Sequence, residues 1–146
     1  MSRGCALALV VGSLLLSGCQ TMPVGQSERL LSSDEVEALF GGKTVESYNL
    51  NTRLTSFTFY RPDGHVLQQR FWSWRSGSWR VTPEGKICLK FKRERCRHIL
   101  AQGERYTKIK RKKGHRVKLV RYRQFLDGNR LSPPNGGWPR STRFVP

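Results

Sequence analysis

The hydrophobic positions of this chain change their spacing twice. An apolar run from Ala6 to Leu16, broken only by Gly12 and Ser13, comes first. A helix needs about 20 apolar residues to span a bilayer, so this run reads as the core of a secretion signal within residues 1–18. Residues 19–29 are polar, include Pro23 and Gly25, and read as a tether. Helical spacing follows. With Ser32 as N-cap, Glu35 falls at N3 and completes a capping box, and Leu31 can meet Val36 as a hydrophobic staple. Val36, Leu39 and Phe40 then recur on one face and Gly41-Gly42 stops the helix. Two turns of helix are unstable alone, so its apolar side is expected against a sheet.

From Leu54 onward the period drops to two, with glycine turns between short runs, which predicts an antiparallel sheet. Expected strands are Leu54 to Arg61, His65 to Arg75 with Trp72 and Trp74 on one face, and Trp79 to Val81. Lys86 to Lys92 follows, with Ile87, Leu89 and Phe91 facing inward, then a return strand carrying Cys96 after a turn near Arg93-Glu94. Two more run from Arg105 to Arg111 and from Arg116 to Phe125, joined at Lys112-Lys113-Gly114. In the last strand the alternation breaks, so either a bulge at Leu119-Val120 restores the face or that end has both sides exposed. The predicted class is mainly β: a small antiparallel β-barrel or sandwich with one short N-terminal α-helix, over residues 30–130. Residues 131–146, rich in proline and glycine, read as a disordered tail.

Charge alters the picture most. The chain carries 27 Lys and Arg against 10 Asp and Glu, an excess that points to an anionic partner. Between Lys86 and Arg130 stand 17 Lys and Arg but only three acids, Glu94, Glu104 and Asp127. In the Arg105 to Phe125 hairpin, Lys108 and Lys110 on one strand and Arg116 and Lys118 on the other are expected to point outward. Like charges opposed across strands destabilise a sheet, and an anion lying over them would reverse that sign. Lysines also guard sheet edges, but two or three suffice for that.

Leu16-Ser17-Gly18-Cys19 resembles the bacterial lipobox. The resemblance implies cleavage before Cys19, a diacylglycerol thioether and an acyl group on Cys19, and residence in the cell envelope. Gln20, where aspartate would signal retention at the inner membrane, implies the outer membrane. A tethered protein there meets anionic lipids and glycans far more than nucleic acid. Of four cysteines, Cys5 leaves with the signal and Cys19 takes the lipid. Cys88 and Cys96 remain as a pair in a compartment where disulfides persist, opposite one another across the predicted hairpin. Their bond would close a nine-residue loop, for which chain entropy gives roughly 2.5 kcal/mol.

A second resemblance lies in Gly41-Gly42-Lys43-Thr44, Tyr60 with Asp63-Gly64, Gly77-Ser78-Trp79-Arg80-Val81, Gly85-Lys86-Ile87-Cys88 and Cys96. The order is similar to a family of small secreted bacterial β domains of unknown function with a G-x-W-x-V and G-x-x-C frame. It implies the fold and the disulfide and is silent on activity.

Catalytic chemistry has little to stand on. His65, His98 and His115 are scattered, with no serine, cysteine or carboxylate in a nucleophile pattern, and no phosphate-cradling glycine loop is present. A zinc site of Cys88, Cys96 and His98 has unusual spacing and lacks a fourth ligand. No catalytic, cofactor or metal residue is therefore expected. Phe71, Trp72, Trp74 and Trp79, interleaved with arginines, could stack on rings or fill the core; Trp79 is assigned to the core. The reading is a lipid-anchored, non-catalytic outer-membrane protein that binds an anionic lipid or glycan through Lys108, Lys110, Arg116 and Lys118. The alternative is a small barrel that inhibits or engages an envelope protein such as a protease.

Overall fold

The computed structural model describes residues 27–132. The expected signal, Cys19 and the tail from residue 133 onward lie outside them. Strand β1 (Arg29–Leu30) leads into α1 (Ser33–Phe40), followed by β2 (Lys43–Asn49), β3 (Thr55–Tyr60), β4 (His65–Arg70), β5 (Ser73–Val81), β6 (Lys86–Lys90), β7 (Glu94–Gln102), β8 (Arg105–Lys112) and β9 (His115–Asp127). Each strand from β2 to β9 pairs antiparallel with the next, and β9 returns to pair with β2 from Lys43–Asp127 to Asn49–Val120. This closes an eight-stranded barrel and decides between barrel and sandwich. Closure removes the free sheet edges that an open sheet would present.

The helix plugs one end. Ser32 accepts from the Glu35 amide at 3.3 Å while the Glu35 carboxylate accepts from the Ser32 amide at 2.9 Å, the expected capping box. Arg29 forks onto the same carboxylate at 2.6 and 2.8 Å and, with the cap, holds it down to a pKa of about 2. Val36 and Phe40 are fully buried in the core, as is Leu31 in front of the helix. Phe40 is the hub, with ring centres of Tyr60 and Tyr122 at 5.0 Å and Phe125 at 5.5 Å in edge-on geometry, the arrangement aromatic quadrupoles favour. Trp79 lies in this core, as expected, and its indole N–H donates to the Arg61 carbonyl at 2.8 Å.

Two glycines are required by close approach. A Cβ on Gly77 would collide with the Lys90 carbonyl across the β5–β6 pair, and one on Gly85 with the Leu31 carbonyl. Gly85 also sits at φ +73°, which disfavours any other residue.

Three expectations change. Residues His65 to Arg75 are two strands, because the chain reverses at Phe71-Trp72, with Phe71 at φ +52°. Trp72 therefore stands in a turn, 90% exposed, and shares no strand face with Trp74. Strand β2 was not expected at all: its inward positions are Val45 and Ser47, too few apolar residues to betray a strand, yet it closes the barrel. At the other end of the domain, packing reaches Leu131, one residue past the expected boundary at 130. The Thr44 hydroxyl donates to the Gly128 carbonyl and accepts from the Arg130 amide, and Leu131 is buried. The expected disulfide joins Cys88 and Cys96, directly opposed between β6 and β7.

Candidate functional site: a basic mouth and a gap in the wall

The bulge expected at Leu119 exists, and it divides the four predicted anion-binding residues. Lys108 pairs with Val120 and Ile99, and Lys110 with Val117, whereas Ile109 pairs with Lys118 and Arg111 with Arg116. Residue 119 is the extra one. Ile99 belongs to the core and Val120 packs on it, so the Lys108 side is the inner one. Lys108 is a correction to the expected outward face: its ammonium lies 5.8 Å from the centre of the Tyr122 ring, and Tyr122 is buried. Lys110 shares its parity. Arg116 and Lys118 are exposed on the outer wall, with Lys118 bonded to Glu28 at 2.9 Å. No single face brings the four together.

The lumen below the aromatic plug is polar instead of apolar. The Gln68 amide donates to Thr58 at 2.7 Å, the Arg75 Nε donates to Gln68 at 2.7 Å, and the Arg75 guanidinium covers the Phe91 ring at 3.9 Å. Burial, then the charges of Arg97 and Arg75, lower the Lys108 pKa to about 8. Burial pushes the Tyr122 hydroxyl far up, and no hydrogen-bond partner meets it among the described residues. These groups were hidden from a sequence reading because Gln68, Arg75 and Arg97 sit at inward positions of strands whose pattern alone would put polar groups outside.

Strands β7 and β8 are paired only from His98–Ile109 to Gln102–Arg105. Beyond His98, β7 continues pairing with β6 alone. There Lys86, Cys96, Arg97, His98, Ile109, Lys110 and Arg111 line a cavity of about 390 Å³. Residues of both strand parities contribute, as expected where a wall opens between two strands. Four of the seven are cations and none is an acid. The Arg97 guanidinium donates to the Cys96 carbonyl at 2.8 Å. His98 Nδ1 is buried with no hydrogen-bond partner among the described residues. Burial, then Lys86 and Arg111, hold its pKa below the ordinary histidine value, with Glu84 opposing.

The ends of the barrel differ in charge. Asp34, Glu35 and Glu37 lie on α1, and Asp63, Glu84, Glu104 and Asp127 lie in or beside the turns at the helix end. The opposite end, formed by the β2–β3, β4–β5, β6–β7 and β8–β9 connections, carries Arg53, Lys92, Arg93, Lys112 and Lys113, all exposed. Its one nearby acid among the described residues, Glu94, is clamped by Arg80 through two bonds of 2.8 Å. From this basic rim the Phe71-Trp72 tip projects, the two residues 57% and 90% exposed. Cys88, Glu94 and Cys96 come close enough for a metal, but both sulfurs are committed to each other.

The model of a family described as "Protein of unknown function (DUF995)" matches residues 7–107, more than half of the chain. The chain belongs to the DUF995 family. The DUF995 match takes in the helix plug, β1 to β7 and the first residues of β8. Lys86, Arg97 and His98 of the wall gap fall inside it, and Lys108, Lys110, Arg111 and the closing strand β9 beyond it. No curated protein and no solved structure matches the chain.

Proposed function

We propose that this protein is a non-catalytic, lipid-anchored protein of the bacterial outer membrane that binds an anionic envelope surface. The lipobox resemblance at Cys19 supports the anchor, and Gln20 supports the outer membrane. One observation carries the binding: the barrel is polarised, with seven of its ten acids at the helix end and an acid-poor basic rim around an exposed aromatic tip at the other. Each cation near an anionic bilayer contributes about 1 kcal/mol of attraction, and tryptophan settles at the headgroup level. The site has therefore moved from the flat face of the Arg105 to Phe125 hairpin to the mouth. Arg116, beside the Lys112-Lys113 turn, remains part of it; Lys108 does not.

The test is fluorescence quenching with the full chain reconstituted, through its own N-terminal segment, into vesicles containing brominated lipids. Quenching should be stronger in phosphatidylglycerol than in phosphatidylcholine, fall with added salt, and lose the difference in Trp72→Phe. Equal quenching in both lipids, or an unchanged difference in Trp72→Phe, overturns the reading.

A further inference from the structure

We infer that the gap between β7 and β8 is a binding site for the phosphate group of a small phosphate monoester, held by Lys86, Arg97, His98, Lys110 and Arg111. This site adjoins the basic mouth, where Arg111 pairs with Arg116, and it needs neither the anchor nor a membrane.

The first support is a surplus of positive charge, which Glu84, acting on Lys86 and His98 from outside the lining, offsets only in part. Four cations line one cavity with no carboxylate among its lining residues, whereas Arg29, Lys43, Arg80 and Arg123 elsewhere on the barrel each meet a carboxylate. Like charges brought together in a partly buried space repel, and a surplus of this kind is a mark of a functional site. The second support is an unmet polar atom. His98 Nδ1 is buried in the cavity wall with no partner among the described residues, and buried polar groups are ordinarily bonded. The third is the wall itself. The β7–β8 ladder ends at His98–Ile109, and the cavity opens at that point, lined from both strands by Cys96, Arg97 and His98 on β7 and Ile109, Lys110 and Arg111 on β8.

The chemistry of the ligand follows from these. A carboxylate brings one negative charge and would leave most of the four cations unanswered. A phosphate monoester brings nearly two at neutral pH and three strong acceptor oxygens for guanidinium, ammonium and imidazole donors. The volume of about 390 Å³ lies at the small end of ligand pockets, about 300–1,000 Å³, and admits a phosphate with a small organic group. Behind the gap stands Lys108, with Arg97 acting on both it and the cavity, so positive potential deepens toward the lumen.

The experiment titrates inorganic phosphate into the full chain in neutral detergent at constant ionic strength, following the His98 imidazole signals by NMR, with acetate as the singly charged control. Phosphate should shift His98 saturably and acetate should not. Lys110→Gln combined with Arg111→Gln, at successive positions of β8, should weaken the binding about tenfold or more. Lys118→Gln combined with Arg123→Gln, both on the outer wall of β9, should leave it within about twofold. An absent phosphate shift, an equal shift with acetate, or an equal loss in the two double variants overturns the inference, the last by showing a diffuse field instead of a pocket. A second arm adds vesicles of phosphatidic acid or phosphatidylglycerol. Displacement of phosphate by phosphatidic acid alone assigns the site to a lipid headgroup, and no displacement assigns it to a soluble ester. Trp72→Phe should leave phosphate binding intact, so a failure of the mouth and a failure of the gap are told apart.

Discussion

The Lys108 ammonium lies 5.8 Å from the centre of the buried Tyr122 ring, on the inner side of a barrel where its charged neighbours are Arg97 and Arg75. A lysine so placed is stabilised in its neutral form, with its pKa lowered to about 8 from an ordinary value of 10.5. Between those two values the unfolded chain binds more protons than the folded one, so stability should rise as pH rises through that window. Urea unfolding at pH 8 and pH 10 measures it. Lys108→Met should flatten this rise and raise the midpoint at pH 7, because the charge is no longer carried into the lumen.

Acid acts at the helix plug. The Glu35 carboxyl is held near pKa 2 by Arg29 and the cap, so its contribution is complete above about 4.5 and is lost as pH falls from there toward 2. Ser32→Ala should cost about 1 kcal/mol, and Glu35→Gln should reduce the pH dependence in this range, leaving the part due to Asp63, Glu84, Glu94 and Asp127, whose hydrogen bonds and cationic neighbours also lower them. Thermal unfolding between pH 2.5 and 6 checks both.

Packing at the β5–β6 pair allows no side chain at Gly77. Gly77→Ala should destabilise the barrel by about 1–3 kcal/mol, since the atom a Cβ would strike is backbone, the Lys90 carbonyl. Trp79→Ala should cost about 3–5 kcal/mol. Denaturant midpoints give both values.

Reducing the Cys88–Cys96 bond, or replacing both by alanine, should lower stability by roughly 2.5 kcal/mol. The barrel should remain closed, because β6 and β7 stay paired through Lys86–His98, Ile87–Arg97, Leu89–Arg95 and Lys90–Glu94. Far-ultraviolet dichroism before and after reduction tests this.

Local signals were legible in the sequence wherever one residue type has one physical use. The capping box of Ser32 and Glu35, the glycine turns, the cysteine pair, the inward Ile87 and Leu89, the core Trp79 and the bulge at Leu119 all follow from short-range chemistry. What escaped depends on distance. Strand β2 is recognisable only through its partner β9, since Val45 and Ser47 are its only core-facing residues in a polar run. The basic residues were visible as a charge excess, but their grouping was not. A bulge could be placed, yet not the face it would give Lys108, and nothing local marks the point where β7 leaves β8.

The strand pair that closes the barrel joins Lys43 to Asp127, 84 residues apart in the chain. A polypeptide delivered from its N-terminus therefore holds β2 to β8 as an open ribbon until the last strand arrives, and pays the entropy of that long loop before the aromatic plug around Phe40 can form. Folding dominated by such distant contacts is slow. Deletion of β9 should thus leave a chain without a native state rather than a weakened barrel, because Tyr122 and Phe125 reach Phe40 only when the ring is complete.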